Sequence, residues 1–369
     1  MNTLPLETLQ YIFELACTDG GATGNSLSLT SKQIRAAARR ARLHTVRVAA
    51  DSNTFPDFVA FFERECNGGR NERPRVRHLY LTLATNPYFP PNPAQIPLAP
   101  QNRNSQTLPA SHEAGQLSNS PAPPLESSGV VSSPPCSCPV KELVRLVAPD
   151  LWSLVVYTAP SGFCLPEDLQ YSILTHTYPL VREAAFIGLP GPARINWSDV
   201  KPPAFPCATH LYLSPRVNKP DLNLPAWSAL APRVTHLHVS DIQMQSHVRQ
   251  LAEAVGVHAQ VRLYRTLTIS PEFPPSPRTY PSVRYLFMTP KANPQGRTCG
   301  NFSRLQVAMQ NGLSDIVREC HRRVDGTVQA VLLKRPDTVP YGQRAKMLGD
   351  QWVERVGGGE GWWKGPEVD

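Results

Sequence analysis

Apolar and polar positions along this chain follow two periods in succession. Over the first fifty residues the spacing is helical: Leu6, Leu9, Ile12, Phe13 and Ala16 recur at intervals of three and four and make one stripe. Pro5 suits the first turn of that helix, Thr3 can cap it, and Glu7 complements the positive end of its dipole. Asp19, Gly20, Gly21 and Gly24 break the pattern, and a second run begins near Ser26, where Leu27 and Leu29 lead to Ser31. Ser31 is placed to cap a third helix from Lys32 to about Arg42, with Ile34, Ala37, Ala38 and Ala41 as its apolar stripe. A fourth helix is predicted from Phe55 to about Cys66.

From Val76 the period changes to two. An x-Leu-x-Leu core first appears at His78 to Leu81 and returns at Ser153 to Val156, Glu183 to Phe186, His210 to Leu213, His236 to Val239, Thr266 to Ile269 and Tyr285 to Met288. From the second copy onward the starts lie 30, 27, 26, 30 and 19 residues apart, near the ~20–29 residues of a leucine-rich repeat. Helical stretches fall between copies at Glu167 to His176 and at Gln245 to Val255, where Val248, Leu251, Ala252 and Val255 form a stripe. If the leucines face inward, alternation sends Tyr80, His210, Tyr212, His236, His238, Tyr285 and Phe287 to the opposite, exposed face. Aromatic residues dominate protein interfaces, so these seven are the candidate substrate-binding surface; β-propensity alone, or a covering segment, would explain the same residues. The chain ends with a predicted helix from Phe302 to about Arg323, a strand at Val328 to Leu333 and a helix from Gln343 to Val356, which would close the end of the repeats. Trp362 and Trp363 then pack back on the body.

Composition modifies this picture in one region above all. Proline accounts for 39 of 369 residues, roughly twice the usual ~5% share, and the stretch 86–139 is rich in Pro, Ser, Asn and Gln with few aromatics. Such a segment cannot offset the entropy of ordering and reads as a disordered insertion. The hydrophobic share of 41% supports a folded core elsewhere. Glu7, Glu14 and Asp19 interrupt the first apolar run, so no secretory leader is read there, and no run approaches the ~20 apolar residues of a membrane span. Cytoplasm or nucleus is the expected location, with no membrane partner.

The ordered residues Leu4, Pro5, Glu7, Leu9, Ile12, Phe13, Leu27, Leu29, Ser31 and Lys32, followed by a closing strand, resemble the F-box. Two departures are visible: Ile34 stands where that family places tryptophan, and the segment CTDGGATGNS lengthens the first turn. The resemblance implies a small N-terminal helical domain, residues 1–50, that docks on the Skp adaptor and through it on a cullin. Its adaptor-binding face would comprise Leu4, Pro5, Leu6, Leu9, Ile12, Phe13, Leu27, Leu29 and Ile34. The expected fold class is α/β: the helical F-box, the first helix and strand of the repeats at 51–85, the insertion at 86–139, an irregular leucine-rich-repeat-like solenoid at 140–300 and a cap at 301–369. The implied role is substrate recognition for a ubiquitin ligase, toward an unknown protein substrate.

Catalysis is the weaker reading. No Gly-rich phosphate loop, Gly-x-Ser-x-Gly elbow or His-Glu-x-x-His helix occurs, and no cofactor is implied. Cys136 and Cys138 lack the spacing of a zinc knuckle, and His236 and His238 share a strand face without an acidic or thiol partner to complete a metal shell. No catalytic or metal-binding residue is assigned. A scaffold acting outside a ligase remains an alternative. So does nucleic-acid binding, which draws on the net charge of +8 and on Lys32, Arg35, Arg39 and Arg42, but no aromatics interleave with those cations.

Overall fold

Each x-Leu-x-Leu core is a strand, and the strands pair in the order in which the chain makes them. A computed structural model describes residues 4–67, 73–83, 138–158, 172–189, 202–216, 221–257, 278–291, 300–323, 326–334 and 341–363. Its eight strands are β1 (Thr45–Ala49), β2 (His78–Thr82), β3 (Ser153–Tyr157), β4 (Glu183–Ile187), β5 (His210–Ser214), β6 (His236–Ile242), β7 (Tyr285–Pro290) and β8 (Gln329–Leu332). They form one parallel sheet in sequential order from β1 to β8. The first residues of the cores align: His78 with Ser153, Glu183 with His210, His210 with His236, and His236 with Tyr285. The core at Thr266 to Ile269 and most of the insertion lie outside the described residues, and β6 pairs directly with β7.

A proline four residues before the strand sets up the approach to six of the eight. Pro74, Pro149, Pro179, Pro206, Pro232 and Pro281 hold this place before β2 to β7. Its fixed φ suits a turn, and its missing N–H is no loss there. In four copies the turn closes by a hydrogen bond into the second residue after the proline: Val181, Ala208, Val234 and Val283 donate to the carbonyls of Tyr178, Phe205, Ala231 and Tyr280 at 3.3–3.4 Å. That second residue is buried every time, as are Val76 and Leu151 before β2 and β3. One carbonyl then accepts two N–H groups from the next copy: His44 from Arg77 and His78, Arg182 from Thr209 and His210, Thr235 from Arg284 and Tyr285. Part of the proline excess is thus structural punctuation repeated along the sheet.

Leu79, Leu81, Leu154, Val156, Leu211, Leu213, Leu237, Val239, Leu286 and Met288 all point to one face and into the main core. Helices cover this face: α4 (Phe55–Asn67), α5 (Pro139–Val147), α6 (Leu224–Leu230), α7 (Gln245–Val255) and α8 (Gly300–Arg322). Phe62, Leu143, Trp227, Leu251 and Leu313 are their buried contacts. The expected stripe on α7 is met, with Val248, Leu251, Ala252 and Val255 all buried.

Three helices precede the sheet: α1 (Leu6–Ala16), α2 (Ala22–Thr30) and α3 (Lys32–Ala38). Pro5, expected in the first turn of α1, is its N-cap, and Thr3, the expected cap, lies outside the described residues. Ser31 caps α3 as expected, its Oγ accepting from the Ile34 amide at 3.1 Å. α2 begins four residues before the expected Ser26, because Asp19 captures the free amides of its first turn: the Thr23 N–H donates to Asp19 Oδ2 at 2.9 Å. The segment expected as a lengthened turn is therefore partly helix. Gly24 belongs to this packing, since a Cβ there would sit 2.2 Å from the Arg42 carbonyl oxygen. α3 ends at Ala38, earlier than the expected Arg42, and turns carry the chain to β1, the edge strand of the sheet.

Of two expectations about the far end of the chain, one is corrected and one is met. α8 and β8 extend the sheet at its end, but α9 (Tyr341–Val356) does not cap that end. It crosses the face opposite the leucines, where Leu348 and Trp352 are buried against Tyr80, Val155, Tyr157, Ala185, Ile187 and Tyr212. The Trp352 indole N–H donates to Ser153 Oγ at 3.4 Å and Arg355 Nε to Glu183 at 2.9 Å, while Arg344 pairs with Asp241. The short turn at Gly361–Trp363 continues this cover and buries Trp362, so the tandem tryptophans do pack on the body.

Candidate functional site

The nine residues expected on an adaptor-binding face divide between two surfaces. Leu9 and Phe13, four apart on α1, are 7% and 5% exposed and fill a small core with Cys17, Ala37, Ala38 and Ala41. Leu27 and Ile34 are half-buried against it. Leu4, Pro5, Leu6, Ile12 and Leu29 remain exposed, and Tyr11 and Leu15 join them. The expectation of a single stripe is corrected for a physical reason: the small side chains of α3 let α1 approach closely, and that contact consumes Leu9 and Phe13. Tyr11 and Leu15 could have been found from the sequence, since they continue the outward side of α1 at three- and four-residue spacing from Ile12 and Leu15.

The seven sheet-face residues do share one face, as the alternation predicts, but that face is covered. Tyr80, Tyr212 and His238 are buried, His210, His236 and Phe287 are half-buried, and only Tyr285 counts as exposed, at 36%. The Tyr212 hydroxyl donates to Ser240 Oγ at 2.8 Å, and its ring meets those of His238 and Trp362 at 4.6 and 5.5 Å. His210, His236 and Tyr285 stack in a row at 4.2 and 4.5 Å, and Trp363 stands edge-on to His210 at 4.8 Å. Alternation fixes which side a residue takes; it cannot tell that a helix more than a hundred residues later lies over it.

Burial lowers the pKa of these histidines. Desolvation pushes His238 down to about 4, against partial opposition from the Trp362 backbone and the Asp241 carboxylate. Burial, with the charges of His236 and Arg355 added, brings His210 to about 4 as well. Both rings are neutral at physiological pH.

The basic residues expected along the third helix are largely engaged within the chain, two of them beyond the end of α3. Arg39 and Arg42 both pair with Glu65 of α4, at 3.1 and 2.9 Å, Arg42 lies over the Phe61 ring, and Arg35 donates to the Ser28 carbonyl at 2.6 Å. Among the described residues no group of three or more His, Cys, Asp or Glu is placed to hold a metal ion, and no helix is long and apolar enough to cross a membrane.

A concavity lies at the C-terminal ends of β3 to β7, beside the first turn of α9. It is a cavity of about 50 Å³ bordered by Thr158, Gly188, Ser214, Asp241, Lys291 and Arg344. The sequence offered no signal for it, because its residues come from six separate segments.

No protein-family model, curated protein or solved structure matches this chain.

Proposed function

We propose that the chain is a non-catalytic substrate-recognition subunit of a Skp, cullin and F-box ubiquitin ligase, docking on the Skp adaptor through its first three helices. The observation that carries this reading is the apolar group Leu4, Leu6, Tyr11, Ile12, Leu15 and Leu29, between 43% and 81% exposed on a unit whose internal core is already filled by other residues. Large side chains that a fold leaves outside while packing their neighbours are the mark of a docking face. The resemblance of the ordered N-terminal residues to the F-box supports this choice of partner, and burying several such side chains contributes ~1.5–3 kcal/mol each. The remainder of the chain then serves as an irregular leucine-rich-repeat-like solenoid, a reading supported by sequential parallel strands, the helical layer on the leucine face and the repeated proline turn. Within it, substrate contact falls to the rim left open beside the C-terminal segment, where Tyr285 and Phe287 stand, and not to the whole aromatic face.

Co-purification with the Skp adaptor and a cullin tests this. Ile12→Asp combined with Leu15→Asp alters only exposed positions and should abolish it with the fold intact. Undiminished co-purification of that variant would refute the docking face. Leu9→Asp is unsuited to this purpose, because Leu9 belongs to the internal core.

A further inference from the structure

We propose that the cavity at the C-terminal ends of β3 to β7 is a binding site for a small oxyanion, a phosphate or carboxylate group. Among the described residues, Arg216, Lys291 and Arg344 border it together with one carboxylate, Asp241. That carboxylate is already committed: it pairs with Arg344, accepts from the Ser214 hydroxyl and is 9% exposed. Lys291 is half-buried and pairs with no carboxylate among the described residues, so the charge left at the site is positive and less screened than at an open surface.

Neutral donors complete the lining. Thr158 is 3% exposed and borders the cavity, yet its hydroxyl has no hydrogen-bond partner among the described residues. A buried donor without a partner is destabilising, and a ligand oxygen would satisfy it. Lys291 reaches the site from just beyond β7 and donates to Gln243 Oε1 at 2.8 Å, leaving two of its three ammonium protons for a ligand. Burial and the nearby Arg344 both lower its pKa, with Asp241 opposing them, so a bound anion would favour the charged form.

The backbone is shaped to keep this space. β6 is irregular between Val239 and Ile242, and Asp241 takes a positive φ of 57°, which turns its carboxylate toward Arg344. Across the cavity Gly188 has φ of 73°, and a Cβ there would lie 2.5 Å from the Thr158 carbonyl oxygen. A volume of about 50 Å³ exceeds the ~10–15 Å³ that one water requires and suits a group of a few heavy atoms. The site stands independently of what the N-terminal helices dock on.

The test is a titration of the full-length protein with inorganic phosphate, sodium acetate or sodium chloride at matched ionic strength, read by melting temperature and calorimetry. Phosphate or acetate should raise the melting temperature saturably, as a ligand of the folded state must, and the better of the two identifies the natural group. Lys291→Met should weaken that binding by about tenfold or more, the usual size of a lost charge-assisted hydrogen bond, whereas Lys291→Arg should retain most of it. Should Lys291→Met fail to fold, Thr158→Val, which keeps shape and removes the hydroxyl, should weaken binding by a smaller factor. A rise no greater than that given by chloride, or one unchanged in both Lys291→Met and Thr158→Val, would overturn the proposal.

Discussion

Leu211 and Tyr212 are neighbours on β5 and face opposite layers, and both are buried: Leu211 among the helices, Tyr212 beneath Trp362. Truncating either should therefore destabilise the fold. Leu211→Ala is expected to cost about 2–5 kcal/mol and Tyr212→Ala about 3–5 kcal/mol, whereas Tyr285→Ala, at the open rim, should stay within about 1 kcal/mol. Urea denaturation of the three variants measures this, and a Tyr212→Ala as mild as Tyr285→Ala would mean that the second face is uncovered. The same burial sets a pH dependence. At pH values above 6.5 His238 is neutral both folded and unfolded; as pH falls below 6.5 the unfolded chain takes up a proton that the folded chain refuses until about pH 4. Stability should thus be full near pH 7 and fall through this window, with His238 contributing a loss on the order of 2 kcal/mol by pH 5. His210, also at about 4, acts in the same direction. His238→Gln should flatten the dependence between pH 7 and pH 5, and an unchanged slope would remove His238 from the account.

α9 and the turn after it show how a segment distant in sequence converts a half-open sheet into a covered one. Trp352 is 1% exposed and contacts Tyr80 at 5.5 Å between ring centres. Trp352→Ala should cost about 3–5 kcal/mol. Deleting residues 335–369 should lower the melting temperature and expose apolar surface to a hydrophobic dye, and an unaltered melting temperature would show that the segment contributes no cover. The strands and α1, α3, α4, α7, α8 and α9 were legible in the sequence, because each carries an unbroken period of two or 3.6. α5 and α6 went unread although Pro139 and Pro225 mark their first turns: α5 was hidden at the border of the proline-rich insertion, and α6, at seven residues, is too short for its period to stand out. The side each strand residue takes was readable; what lies above it was not. That is why the seven sheet-face residues were rightly grouped yet wrongly expected to be exposed, and why the one apolar stripe on α1 resolved into an inner pair and an outer group. The cavity beside Asp241 is a product of tertiary assembly with no local period to reveal it.

For the molecule as a whole, β2 and β3 pair residue by residue from His78 with Ser153 to Thr82 with Tyr157, although the insertion separates them in sequence. Replacing residues 86–137 by a short Gly/Ser bridge, and keeping Cys138 and Pro139 because they open α5, should shift the melting temperature little. A collapse in stability would show that the insertion contributes to the core. The N-terminal helices sit at the other end of this logic: they pack an internal core of their own, yet leave Leu4, Leu6, Tyr11, Ile12, Leu15 and Leu29 to solvent. Whether that face docks on the Skp adaptor is the central claim, and calorimetric titration of the full-length protein with purified adaptor tests it most directly. The expected result is saturable one-to-one binding with a negative heat-capacity change from apolar burial, lost in the variant carrying Ile12→Asp and Leu15→Asp while its unfolding curve stays that of the parent. Absence of binding by the parent protein, or equal binding by a well-folded variant, would contradict it.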